Sequence, residues 1–103
     1  MIDARHQLLD EALALTQRMA QLGDDDDWQA VVELEPQRRQ LLQRAFATQR
    51  QVDEVMAERV RAILELDKHL MALTVAARDR IAGDITRSSK GRAAANAYRS
   101  AGA

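Results

Sequence analysis

Apolar side chains recur every three or four residues along three stretches of the chain, which is the period of an α-helix with one buried face. The first stretch covers about residues 2–22 and the second about residues 27–49. In the first, the seam positions are Leu8, Ala12, Leu15, Met19 and Leu22, and the positions that widen the seam are Leu9, Leu13 and Ala20. A stripe of this width predicts a helix that packs against two neighbours.

A tight acidic turn is predicted between the first two helices. Gly23 is expected to end helix 1, because glycine enters the left-handed backbone region without a steric penalty. Asp27 is expected to cap helix 2, with Trp28 covering the end of the bundle from the first turn. The aspartates at 24–27 exceed what a cap requires. They leave three interpretations open: a solvated turn, a docking point for a basic segment, or a divalent-cation site, although the run lacks the spacing of a calcium loop.

Pro36 interrupts the pattern of helix 2. A proline inside a helix removes the N–H that would bond the carbonyl of Val32, and its ring crowds that carbonyl. We therefore expect helix 2 to be kinked at Pro36 or broken into two pieces there.

The third helical stretch is the longest and runs from Val52 or Asp53 to about Arg87. Its seam positions are Val52, Met56, Val60, Ile63, Leu66, Leu70, Leu73, Ala77, Ile81 and Ile85. Such a helix would span about 50 Å, against about 30 Å for helix 1. If helices 1 and 3 run parallel from the same end, the apolar side of helix 3 after Leu73 has no partner in the bundle, and something else must cover it.

The expected architecture is all-α: an antiparallel three-helix bundle over residues 1–87 with a long third helix, and a short basic tail over residues 88–103, helical or flexible. Composition agrees, since 3% of the residues are aromatic and Gly and Pro number only 4 and 1. No stretch reaches the roughly 18 apolar residues of a membrane span. The net charge of -1 argues against nucleic acid as a direct partner, although the front of the chain is acidic and the tail is basic.

No catalytic or cofactor-binding pattern is present in the sequence. His6 and His69 fall on different predicted helices without a serine nucleophile, and the chain has no cysteine. Asp67 lies at the flank of the seam. Three interpretations are open for it: a surface residue, a buried polar contact or a contact with a partner. We therefore expect no enzyme activity, no cofactor and no metal, and the remaining candidate is apolar helical surface that binds a partner helix. The candidate partner-binding residues are Leu41, Phe46, Ile63, Leu70, Leu73, Ala77, Ile81 and Ile85.

Two motifs give the chain a resemblance to a known family. The first is the acidic turn with Trp28 followed by "VVELE" and "LL", and the second is "KGRAAANAYR" at residues 90–99. Together with "ILELDKHLMAL" at residues 63–73, they resemble the flagellar export chaperone FliT family over nearly the whole chain. The acidic run and Pro36 depart from the family pattern.

This resemblance implies a non-enzymatic cytosolic chaperone of the flagellar type III export system. The implied partner is the flagellar cap protein (FliD-like), bound near its C-terminus so that it stays unassembled until export. The export ATPase, the export gate and the flagellar transcription activator are further implied partners. The alternatives are a chaperone of the hook-filament junction proteins and a self-associating structural coiled coil. A monomer or homodimer is expected.

The tail is expected to regulate the partner-binding surface. The resemblance implies a C-terminal helix that can cover this surface, and the apolar excess on helix 3 independently calls for a cover. Tyr98 and the small residues around it would dock reversibly on helices 2 and 3, with Arg92 and Arg99 near the acidic turn. Burial of roughly 400 Å² of apolar surface would be nearly offset by the cost of ordering about eight residues, so that a cargo helix can displace the tail.

Overall fold

The computed structural model describes residues 3–48 and 50–101, with the side chains of residues 89 and 93–101 outside the description. The described residues form three helices, α1 (Ala4–Asp24), α2 (Trp28–Ala45) and α3 (Glu54–Ala101), and contain no strand. The predicted all-α class is confirmed. None of these helices has the length and hydropathy of a membrane span.

An aspartate starts each helix. Asp3 accepts a hydrogen bond from the backbone N–H of Arg5 at 2.9 Å, and Asp27 accepts one from Ala30 at 3.3 Å. Asp53 accepts one from the N–H of Met56 at 2.9 Å. These bonds satisfy N–H groups that have no partner inside the helix, and each cap contributes about 1 kcal/mol. The predicted cap at Asp27 is confirmed.

Two helix ends differ from the sequence-based expectation. α2 ends at Ala45, with a turn at 46–48, rather than at residue 49. α3 continues without interruption to Ala101, whereas the periodicity suggested an end near Arg87. The residues beyond 87 are mainly alanine, serine and basic residues without proline, and they favour a helix even where no apolar seam continues. The division into a bundle and a separate tail at residue 88 stays a prediction.

Internal contacts group the chain into two compact units, residues 1–73 and residues 74–103. The first unit contains α1, α2 and the first part of α3. One core cluster in it consists of Leu9, Ala45 and Met56, and the other consists of Met19, Leu22, Val31 and Leu70. Each cluster takes residues from all three helices, so their apolar faces share one core. Thr16 is also fully buried, and its hydroxyl donates to the carbonyl of Ala12 at 2.8 Å.

Gly23 has a different role from the predicted one. It lies inside α1, and the described glycines all have negative φ, whereas the residue with positive φ in this turn is Asp26, at 62°. The expectation that Gly23 ends helix 1 in the left-handed region is therefore wrong. A Cβ at Gly23 would lie 2.9 Å from Cδ1 of Leu70 and 3.3 Å from Cδ1 of Leu73. The glycine is needed for close packing of α1 against α3.

Pro36 does not break α2, which continues through it from Trp28 to Ala45. Both Pro36 and Val32 are exposed. The carbonyl that loses its helical N–H partner therefore lies on the solvent side, where water can hydrate it, and this removes most of the cost of an internal proline.

In the second unit, residues 74–88 and 90–92 are exposed, except for buried Ala77 and half-buried Gly83. Arg87 and Asp84 form an ion pair one turn apart. Most of this part of α3 is stabilised by its own backbone hydrogen bonds and by the helix propensity of its residues.

Candidate partner-binding surface

The acidic turn is held by specific interactions rather than being a free charged loop. Oδ1 of Asp24 lies 2.8 Å from Nε2 of His69 on α3, within hydrogen-bond distance. Asp26 accepts from the indole Nε1–H of Trp28 at 2.7 Å, and Asp27 caps α2. The backbone N–H of Asp25 donates to the carbonyl of Gln21 at 3.0 Å and closes α1. These aspartates thus close one helix, start the next and attach the turn to α3.

A polar network crosses the apolar core at Arg38, whose side chain is only 12% exposed. Its Nη1 donates to Oδ1 of Asp67 and, at 3.5 Å, to the hydroxyl of Thr16. Its Nη2 donates to Oε2 of Glu35 at 2.7 Å. Nε of Arg38 is buried without a hydrogen-bond partner among the described residues. Asp67 is therefore a half-buried polar contact that joins α3 to α2, one of the alternatives that the sequence left open.

A second polar cluster lies at the start of α1 and α3. Nε2 of His6 is 2.6 Å from Oδ2 of Asp53, and the guanidinium of Arg5 binds both carboxylate oxygens of Asp3. The bonds from Arg5 hold the pKa of Asp3 well below its ordinary value. The pKa of Asp53 is lowered chiefly by the N–H of Met56 and then by His6. Arg5 also donates to the carbonyl of Gln51 at 3.0 Å, so this cluster fixes the loop before α3 against α1.

Asp3, His6 and Asp53 have ligand atoms within 4.8 Å of one another, the spacing of a metal site. However, the guanidinium of Arg5 occupies both oxygens of Asp3, and an oxygen of Asp3 and one of Asp53 cap the helices. A cation would have to displace these bonds and overcome the charge of Arg5. The arrangement is that of a structural clasp between α1 and α3.

The structure divides the eight residues expected to bind a partner into three groups. Ile63, Leu70 and Ala77 are buried; Leu41 and Leu73 are half-buried; Phe46, Ile81 and Ile85 are exposed. The buried residues reach a partner only if the first unit opens or α3 changes its packing. The exposed residues are available as they stand, with Ile81 and Ile85 at 60% and 61% exposure in the second unit.

An exposed apolar hollow lies on α3 in the first unit and was not among the expected residues. Leu64 and Met71 are 53% and 68% exposed, and they line a hollow together with Arg61, Glu65, Asp67 and Lys68. The sequence shows that Leu64 and Met71 each follow a seam residue, Ile63 and Leu70, by one position. It does not show which of two adjacent apolar positions faces the core.

The two histidines and the tail residues singled out in the sequence form no catalytic arrangement among the described residues. Both histidines pair with aspartates and belong to the contacts between α1 and α3. Arg92 lies on α3 and is exposed. The side chains of Tyr98 and Arg99 lie outside the described residues, so their docking remains a prediction.

The comparisons with known proteins give one finding. A family model described as flagellar protein FliT matches residues 6–100, which is most of the chain. No curated protein and no solved structure matches the chain at a significant level.

Proposed function

Since the chain belongs to the FliT family of flagellar proteins, we propose that it is an export chaperone whose apolar hollow on α3 binds an amphipathic helix of a flagellar export cargo. The hollow around Leu64 and Met71 is the observation that carries this proposal. Large apolar side chains two turns apart on one exposed face of a helix favour helix-in-groove binding. Methionine adds adaptability, because its unbranched side chain fits partner surfaces of different shape.

The cargo is the flagellar cap protein, bound near its C-terminus so that it does not assemble before export. Binding of this kind buries the apolar face of the cargo helix, which would otherwise mediate its self-assembly. The export ATPase, the export gate and the flagellar transcription activator are further partners in the same proposal. The location is the cytosol, the protein carries out no catalysis, and it acts as a monomer or homodimer.

The proposed surface requires the first unit to be an up-down-up bundle, with α2 antiparallel to α1 and α3 parallel to it. The core clusters support this arrangement. Leu9 near the start of α1 clusters with Ala45 at the end of α2, and Leu22 near the end of α1 clusters with Val31 near the start of α2. The ion pair of Asp10 with Arg59, together with the other α1–α3 pairs, follows the order of both helices.

The tail regulates access in this proposal. In this proposal the segment 88–103, including Arg92, Tyr98 and Arg99, covers the apolar surface until cargo displaces it, which requires α3, continuous to Ala101 in the structure, to break near residue 88. The exposure of Ile81 and Ile85 supports a need for cover in the second unit. To test this, the full chain and a chain ending at residue 87 are compared for affinity to the cap protein. Tighter binding by the shorter chain supports autoinhibition, and equal binding contradicts autoinhibition but leaves the chaperone role intact.

The chaperone role itself is tested by calorimetric titration of the chain with the cap protein and, separately, with the hook-filament junction proteins. Preferential binding of the cap protein is expected. Preference for the junction proteins would assign the chain to the alternative cargo. Light scattering over a range of concentrations adds a further check, because a tight obligate oligomer without cargo affinity would instead indicate a self-associating coiled-coil protein.

A further inference from the structure

The core of the first unit consists of two separate apolar clusters with a polar layer between them. This layer takes one residue from each helix, and each lies in sequence between the residues that its helix gives to the two clusters: Thr16 on α1, Arg38 on α2 and Asp67 on α3. Nε of Arg38 is buried in the layer without a hydrogen-bond partner among the described residues. Water recovers the cost of this unsatisfied donor when the layer opens, so the core separates more easily here than within either apolar cluster.

The backbone of α2 is weakened at the same level. Pro36 lies inside α2, two residues before Arg38. It leaves the carbonyl of Val32 without its helical partner, and it disfavours helical backbone at the preceding residue, Glu35. The same proline is favourable as the first residue of a shorter helix, where no N–H is needed and its fixed φ suits the helix. The sequence of α2 therefore contains two helix starts, the observed one at Trp28 and a second at Pro36.

The eight residues between these two starts, 28–35, form a segment that we call the strap. Val31, at 8% exposure, is its one buried residue, and the half-buried Trp28, Ala30 and Leu34 pack against the same cluster. The other cluster is more completely buried, since its residues Leu9, Ala45 and Met56 are 0%, 1% and 0% exposed. Segments with few buried contacts open before the rest of a native protein, so the strap is the part of α2 that opens first.

We propose that the strap opens as a unit, by local unfolding of residues 28–35, while α2 restarts at Pro36 and the rest of the first unit stays folded. The link between α1 and α2 then lengthens from residues 25–27 to residues 25–35, which gives the strap room to leave the core. Opening hydrates Nε of Arg38 and uncovers Met19, Leu22 and Leu70, the remaining buried residues of that cluster. Leu70, one of the buried residues expected to bind a partner, thereby reaches solvent without global unfolding. This conformational device does not depend on the proposed function.

Native-state hydrogen exchange of the full chain, followed by NMR at each amide in low concentrations of urea, tests the strap. Each helical N–H donates to the carbonyl four residues earlier, and the residue before the first helical one still accepts such a bond. A restart at Pro36 therefore frees the amides of residues 31–35, 37 and 38, whereas those from Arg39 onward stay bonded. We expect the first group to exchange about tenfold or more faster than amides 39–45. Its exchange should also depend less on urea, because the smaller opening exposes less surface.

Pro36→Ala restores the N–H for the carbonyl of Val32 and removes the preference for a helix start at this position. The difference in exchange rate between the two groups of amides should therefore fall about tenfold or disappear. Gln37→Ala is the matched control, since Gln37 is also exposed on α2 and lies next to the proline. It should change the difference by less than about twofold.

Two results would overturn the strap. One is a single exchange rate and a single urea dependence for all of α2 in wild type, which would mean that α2 opens only as a whole. The other is a rate difference that persists in Pro36→Ala, which would mean that the proline does not set the boundary. Neither result bears on the chaperone function, because the experiment contains no cargo.

Discussion

Removal of the apolar hollow on α3 is expected to weaken cargo binding without weakening the fold. Leu64 and Met71 are 53% and 68% exposed in the free protein, so most of their side-chain surface is still hydrated and can be buried by a partner. Complete burial of a leucine or methionine side chain stabilises by about 1.5–3 kcal/mol. Burial of the part that is still exposed is therefore worth about 1 kcal/mol per residue. Since 1.4 kcal/mol is a factor of ten, the pair contributes roughly thirtyfold to the affinity.

The double variant Leu64→Ala with Met71→Ala is thus expected to raise the Kd for the cap protein roughly thirtyfold in calorimetric titration. Its melting temperature stays near that of wild type, because neither side chain belongs to the core. Val32→Ala is the matched control, since Val32 is equally exposed, at 69%, but lies on α2. It should leave the Kd within twofold. A double variant that binds as wild type does, or a Val32 variant that loses as much affinity, would refute the assignment of the hollow.

Three further outcomes follow from the contacts of the first unit. Gly23→Val is expected to lower the free energy of unfolding by about 2 kcal/mol or more in urea denaturation, because its side chain would overlap Leu70, and an unchanged midpoint would contradict the close packing of α1 on α3. Arg38→Met leaves two half-buried carboxylates without their cation, so we expect a loss of about 2–3 kcal/mol by the same measurement, and no loss would mean that the network is not formed in solution. Because the pKa of Asp53 is lower in the folded than in the unfolded chain, its stabilisation is complete above the unfolded value near 3.8 and is lost as the pH falls through the folded value. Asp53→Asn should therefore reduce the melting temperature at pH 6, and the difference from wild type should shrink as the pH is lowered below 3.8; a difference that stays constant as the pH falls would contradict the lowered pKa.

Hydrophobic periodicity was sufficient to predict that the helices exist and which residues form most of the core. Met19, Met56 and Leu70 lie where the heptad seams placed them, and Asp27 caps α2 as its position before Trp28 predicted. These features depend on local sequence, because a helical period and a cap are both set within a few residues.

The surface could not be predicted in the same way. Ile63 and Leu64 are adjacent apolar residues, and only the angle at which α1 and α2 pack on α3 decides that Ile63 is buried and Leu64 exposed. Gly23 was misread because the sequence shows a glycine near a helix end but not the side chains of α3 that lie against it. The carboxylates of Asp67 and Glu35 meet through Arg38, a contact across 29 residues that no local pattern indicates.

Methyl NMR of the chain labelled at methionine tests the central claim most directly, because the methionines supply their own controls. Met71 is 68% exposed at the hollow, whereas Met19 and Met56 are buried at 1% and 0%. On titration with the C-terminal segment of the flagellar cap protein, the Met71 methyl resonance is expected to shift strongly while those of Met19 and Met56 change little. Saturable binding that leaves the Met71 resonance in place would show that the cargo docks elsewhere and would contradict the account.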